Sequence, residues 1–145
     1  MTLSVSTITD ALAQKAARVD RCVERAREEH QLSADFARDF SRQDAALLNI
    51  QRACELSIDM GNMVIAQEQW GLPQSAREVF AILGQRGVLS AELVTALQRM
   101  VGFRNIAVHE YDTLDLNIVI RVITHDVDSL RQLAGLLLNR YVQAS

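Results

Sequence analysis

The sequence predicts an all-α protein, an up-and-down bundle of four longer helices plus one short helix. Three observations carry that prediction. Apolar residues recur at three-to-four spacing through most of the 145 residues, as a helix with one buried face requires. Serines, glycines and the single proline punctuate the pattern where helices start and stop. Nowhere does an alternating strand pattern or a glycine-rich phosphate loop interrupt it.

The first helix runs from Ser6 to about Glu29, with Ile8, Leu12, Val19 and Val23 on its apolar side and Asp20, Arg21, Arg25, Arg27 and Glu28 between them. After "HQLSAD", Ser33 offers an N-cap to a second helix of about 35 residues, through Phe36, Phe40, Leu47, Ile50, Cys54, Ile58 and Val64 toward Gln69. Gly61 marks a place for a bend near "DMGN". Pro73 cannot continue a helix interior, and Ser75 caps a short helix carrying Val79, Phe80, Ile82 and Leu83. Gly87 closes it. Ser90 opens the next helix, with Leu93, Val94, Leu97, Met100 and Val101 on its apolar side. Thr113 offers a cap to a final helix whose core face is Leu116, Val119, Ile120, Ile123, Val127, Leu130, Leu133, Leu137 and Leu138. β-branched residues crowd "NIVIRVIT", so a strand competes there, but the length of the periodic pattern favours helix.

Length and the continuous apolar pattern fit a single domain over residues 1–145. Charges break every hydrophobic run and the N-terminus lacks a basic-then-apolar leader, so the expectation is a cytoplasmic chain with no membrane partner. Cys22 and Cys54 lie far apart, without a Cys-x-x-Cys pair, and read as small buried apolar residues. No metal-ligand spacing is present, so no metal site is expected. A net charge of −3 argues against a broad nucleic-acid surface and leaves room for a local basic groove.

The stretch "FRNIAVHEYD" is unusual. On a helical wheel Leu97, Met100, Val101 and Val108 share an arc, with Arg104 and Tyr111 inside it. An arginine on a core-facing stripe is costly unless paired or lining a wet groove. His109 lies about 140° around an ideal helix from Arg104, so a helix end, a bend or a second copy across a two-fold axis is needed to bring them to one cleft. Taken singly, each residue also has a plain reading: a structural arginine paired with an acid, a helix-end cation and a core-edge ring. His30, at a helix end, and His125, mid-helix, read as structural or solvated.

With these residues in view, the sequence resembles the HEPN-domain ribonuclease toxins, and within them the HepT-like branch encoded beside an MNT nucleotidyltransferase antitoxin. "FRNIAVHEY" matches the Arg-x4-His-x-Tyr signature of that family, and "IQRACELSIDM", "LPQSAREVFAILGQRGVLS" and "LVTALQRMVGFRN" resemble its second, short and motif helices in the same order. The similarity spans roughly residues 5 to 140.

The resemblance implies a HEPN-like homodimer with two motif helices facing across a cleft, and a metal-independent endoribonuclease that needs no cofactor of its own. It also implies neutralisation by the MNT partner, which uses ATP as AMP donor. Carried over by residue, Arg104 and His109 become the catalytic pair, Asn105 a supporting polar group and Tyr111 the adenylylation site. Arg99, one turn before, is a candidate to extend the positive cleft, or else a solvated helix-face residue. The alternative reading is a non-catalytic dimeric helical partner that regulates a nucleotidyltransferase or binds a nucleotide.

Overall fold

The computed structural model describes residues 2–142, apart from the side chain of Tyr111. In chain order the helices are α1 (Val5–Leu32), α2 (Phe40–Glu68), α3 (Ala76–Gln85), α4 (Ala91–His109), α5 (Leu116–Arg121) and α6 (Asp128–Val142). A 3-10 turn, Tyr111–Thr113, follows α4, and a π-helical turn, Val122–Asp126, joins α5 to α6. With α5, the π turn and α6 counted as one interrupted rod, these are four longer helices and one short one. No strand occurs among the described residues.

The long antiparallel pair α1 and α2 forms the centre of the bundle, with α6 against both and α3 and α4 against α2. Ile8, Leu12, Ile50, Met60, Leu83, Leu97, Ile123 and Leu133 are fully or almost fully buried between them. Side-chain caps start five of the helices, with Ser4, Asp39, Ser75, Ser90 and Asp115 accepting from Thr7, Arg42, Glu78, Leu93 and Asn117 backbone N–H groups. Such a cap stabilises a helix start by about 1 kcal/mol.

Several boundaries differ from the sequence expectation. Ser33 does not open α2; it ends α1, and its hydroxyl binds Asp39, which is the true cap. Phe36 therefore enters the core from the connecting loop, edge-on to His30 at 5.0 Å between ring centres. Phe40, at the first turn of α2, is 70% exposed. Helix α2 passes through Gly61 without a break. A Cβ at Gly61 would stand 2.4 Å from Val79 Cγ1, so this glycine serves the close approach of α3. Thr113 closes the 3-10 turn, while Asp115 caps α5.

The last helix keeps the expected core face except where the π turn shifts its register. Val127 N–H bonds to Val122 carbonyl at 3.0 Å, a wider loop than an α-turn. Val122 and Ile123 are thereby buried side by side, while Leu116, Ile120 and Leu138 pack at the margin. Arg27 of α1 satisfies the π turn, its Nε donating to Ile123 carbonyl at 3.0 Å and Nη2 binding Asp128 at 2.9 Å. Among the described residues no helix is long and apolar enough to cross a membrane.

Candidate active site at the end of helix α4

Helix α4 carries the motif because its apolar stripe runs out before the helix does. Leu93, Leu97, Met100, Val101, Phe103 and Ala107 are buried. Val108, expected on the same stripe, is 52% exposed, and Tyr111 lies beyond the helix, so the wheel held only for the earlier turns. The helix stays regular through His109 and ends at Glu110, whose N–H bonds to Ile106 carbonyl at 2.7 Å.

Arg104 sits at the edge of the core, its side chain 20% exposed. One terminal nitrogen, Nη1, binds the carboxylate of Glu55 on α2, and the other, Nη2, donates to Asn105 Oδ1 at 2.9 Å. Its Nε is buried, with no hydrogen-bond partner among the described residues. The structural-pair reading of Arg104 thus describes half of what is present. The acid that pairs it is itself 56% exposed at a surface hollow, so the cation reaches a wet boundary. A buried charge held by an exposed acceptor keeps its geometry and can exchange that acceptor for another anion.

Asn105 and His109 are exposed. They lie about 40° apart on α4, one turn separated, so their side chains share a face. His109 makes no hydrogen bond or ion pair among the described residues. Within one chain Arg104 is bonded to Asn105, and His109 stands one turn further along the face of Asn105, with no bond to either. The Tyr111 backbone begins the 3-10 turn after Glu110; its side chain lies outside the described residues.

Cys54 borders this site. It is buried beneath Arg104 and Glu55, with Sγ 4.0 Å from Met100 carbonyl. Burial pushes its thiol up to about 12, against the opposing pull of the Arg104 charge. That thiol is a packing group and no nucleophile. Cys22 is only half-buried, packed at the core margin.

Two hollows flank α4. The smaller, about 300 Å³, is lined by Arg18, Leu48, Gln51, Arg52, Glu55 and Val108 among others and adjoins Arg104 through Glu55. The larger, about 760 Å³, lies between α4 and the α5–α6 rod and contains Arg99, Met100, Phe103 and His125. None of Arg104, Asn105 and His109 lines it, so Arg99 faces away from the motif rather than extending it. His125 stands exposed in the π turn on that far side. Among the described residues no group of three or more His, Cys, Asp or Glu is placed to hold a metal.

Sequence reasoning missed Glu55. Its only signal was a place on the polar stripe Arg52, Glu55 and Asp59, which reads as an ordinary solvated helix face.

Comparison with known proteins shows which family the chain belongs to. Residues 15–136 match the family described as Ribonuclease HepT-like. The chain is 39% identical over 125 residues to the mRNA nuclease HepT of Shewanella oneidensis, covering 86% of this chain and 94% of that protein. It is 29% identical over 90 residues to the tRNA nuclease HepT of Aphanizomenon flos-aquae, covering 62% and 61%. Its fold is similar to that of a tri-AMPylated Shewanella oneidensis HEPN toxin solved with an MNT antitoxin, at TM-score 0.84 and 37% identity over 94% of this chain and 98% of that one. The chain belongs to the Ribonuclease HepT-like family of HEPN toxins.

Proposed function

We propose that this HepT-like ribonuclease is a single HEPN-like domain that works as a homodimer and cuts RNA without metal, in a cleft where the two α4 helices meet. The observation that carries this reading is Arg104. Its guanidinium sits at the edge of the core with Nη2 on Asn105 Oδ1 and Nη1 on the Glu55 carboxylate, and that carboxylate is an exposed acceptor that a phosphate can replace.

The chemistry follows from the groups present. Unprotonated His109 takes the proton of a ribose 2′-OH. The oxygen attacks the adjacent phosphorus, and the bond to the 5′ oxygen breaks, leaving a 2′,3′-cyclic phosphate. Arg104 binds the phosphate oxygens bidentately and stabilises the charge that grows on them. Asn105, already bonded to Arg104, keeps the guanidinium oriented. The 5′ oxygen needs a proton, and one chain supplies a single motif histidine. His109 of the second copy provides it.

Control follows the same residues. The cognate partner is an MNT nucleotidyltransferase antitoxin that transfers AMP from ATP to the Tyr111 oxygen and releases pyrophosphate. The added phosphodiester stands next to the turn that ends α4, where its negative charge and nucleoside bulk oppose an incoming RNA phosphate. A solved relative in tri-AMPylated form with its MNT antitoxin supports the assignment.

The test is cleavage of RNA in EDTA by purified protein, with intact mass first excluding prior adenylylation. Wild type should leave 2′,3′-cyclic phosphate ends, and Arg104→Ala and His109→Ala should be nearly inactive. Equal cleavage by all three proteins, or none by wild type, would overturn the reading.

A further inference from the structure

An RNA-cutting cleft in a chain of net charge −3 needs positive charge gathered locally. The hollow beside Arg104 supplies it. Four ionisable side chains line that hollow, which adjoins Arg104 through Glu55: Arg18 of α1 and Arg52, Glu55 and Asp59 of α2. Both acids are engaged, Glu55 with Arg104 and Asp59 with Lys15 at 3.8 Å. Arg18 and Arg52 are exposed and make no hydrogen bond or ion pair among the described residues. After internal pairing the wall therefore carries two uncommitted guanidinium groups.

The larger hollow offers a contrast. Arg121 pairs with Asp126 at 3.6 Å and Arg131 with Asp20 at 2.8 Å, while Asp128 is held by Arg27. Of the arginines lining it, only Arg99 has no ion-pair partner among the described residues. Uncommitted positive charge is thus concentrated on the motif side of α4.

Position matters as much as charge. Arg52 precedes Glu55 by three residues, so it stands about one helical turn along α2 from the carboxylate that holds Arg104. The step is of the order that separates successive phosphates in an extended strand. Gln51 adds an amide to the same wall, and Leu48 and Val108, 45% and 52% exposed, give it an apolar floor on which a base or ribose can rest.

We infer that Arg18 and Arg52 form a second phosphate subsite, which holds the RNA backbone phosphate next to the one at Arg104. The inference rests on the ribonuclease reading above and deepens it by assigning a binding track. The RNA runs from the motif across α2 toward α1, and neither arginine touches the reacting atoms.

The experiment uses full-length chain, confirmed unmodified by intact mass, with Arg18→Gln, Arg52→Gln and the double variant. Cleavage of one single-stranded oligoribonucleotide gives kcat and KM. Binding of the same RNA to His109→Ala chains, with and without the two substitutions, is followed by fluorescence anisotropy from low to high salt. The double variant should raise KM at least about tenfold with kcat within about twofold, and its logarithmic salt slope should be shallower by about 1.4, or 0.7 per lost contact. Unchanged KM and slope in a wild type that cuts RNA would overturn the subsite and leave the nuclease mechanism standing. A fall in kcat with KM constant would also overturn it, since the arginines would then act on the chemical step. Loss of the dimer in the double variant would make this face a protein interface instead. If wild type cuts no RNA, the mechanism falls and the anisotropy decides the subsite separately: weakened binding with a shallower slope supports it, and unaffected or absent binding overturns it.

Discussion

The guanidinium of Arg104 on α4 is held by the carboxylate of Glu55 on α2, 49 positions earlier in the chain. This contact fixes the motif arginine while occupying a nitrogen that the proposed phosphate contact would use. On that mechanism Glu55 is both a positioning residue and a competitor for the phosphate. Glu55→Gln keeps an acceptor of the same shape and removes the negative charge. Because Glu55 is 56% exposed, solvent screening limits the gain to about 1 kcal/mol, or about fivefold lower KM for RNA. Steady-state cleavage kinetics of Glu55→Gln and Glu55→Ala check this. If Gln raises KM as much as Ala does, Glu55 only orders Arg104 and does not compete.

The motif residues should separate by role. His109→Ala removes a proton-transfer group, for a loss of about 10² to 10⁴ in kcat. Arg104→Ala removes transition-state charge stabilisation, for about 10² to 10³. Tyr111→Phe should cut RNA at the wild-type rate and accept no AMP when incubated with the antitoxin and ATP. Labelled AMP on the Tyr111→Phe chain would defeat the assignment of the modification site.

Two glycines predict stability through the space they leave. A Cβ at Gly61 would meet Val79 Cγ1 at 2.4 Å and one at Gly84 would meet Val94 Cγ2 at 2.7 Å, so alanine at either overpacks the contacts of α3. Each should cost about 1–3 kcal/mol, lowering Tm by about 2–4 °C per kcal/mol. Gly135 on α6 has nothing within 4 Å of the same point. Gly135→Ala should be neutral or stabilising by up to about 1 kcal/mol. Calorimetry of the three variants distinguishes close approach from chain flexibility as the cause.

Alkaline pH should loosen the fold through two buried protons. Burial raises the Cys54 thiol from 9.0 to about 12, and burial followed by the Glu68 contact raises the Tyr141 hydroxyl from 10.0 to about 12. Both folded values lie above the unfolded ones, so the folded chain keeps protons that the unfolded chain releases. Their contribution is complete below about pH 9 and is lost as pH rises toward 12. Wild-type Tm should fall across that interval. The double variant Cys54→Ala, Tyr141→Phe should start lower, having lost the 2.7 Å bond from Tyr141 to Glu68, and should fall less steeply. Parallel curves for the two proteins would remove these groups as the cause.

Much of this was legible in the sequence because helices announce themselves locally. Ser75 and Ser90 are caps as read, and the buried face of the last helix follows its three-to-four spacing on both sides of the π turn. The misread starts share one cause: a competing acid. Asp39 and Asp115 outcompete Ser33 and Thr113 because the cap is decided by backbone geometry, and several polar residues near each start satisfy the sequence rule. The motif pointed to Arg104, Asn105, His109 and Tyr111 through family resemblance, and of these the packing joins Arg104 to Asn105. The wheel alone failed at Val108, because it continues an apolar stripe past the point where neighbouring helices stop covering it. Glu55, Arg18 and Arg52 did not stand out in the sequence, since only the packing of α1 and α4 on α2 brings Glu55 to Arg104 and places the two arginines in the hollow that Glu55 lines.

The central claim is that one cleft is shared by two copies of the chain, each lending a His109. The most direct measurement is RNA cleavage by heterodimers of wild-type and His109→Ala chains, isolated through two different tags and assayed in EDTA. The shared cleft predicts a rate below about a tenth of the wild-type homodimer, since either lost histidine removes the base or the acid. A rate of half or more would contradict it, because each chain would then complete a site by itself.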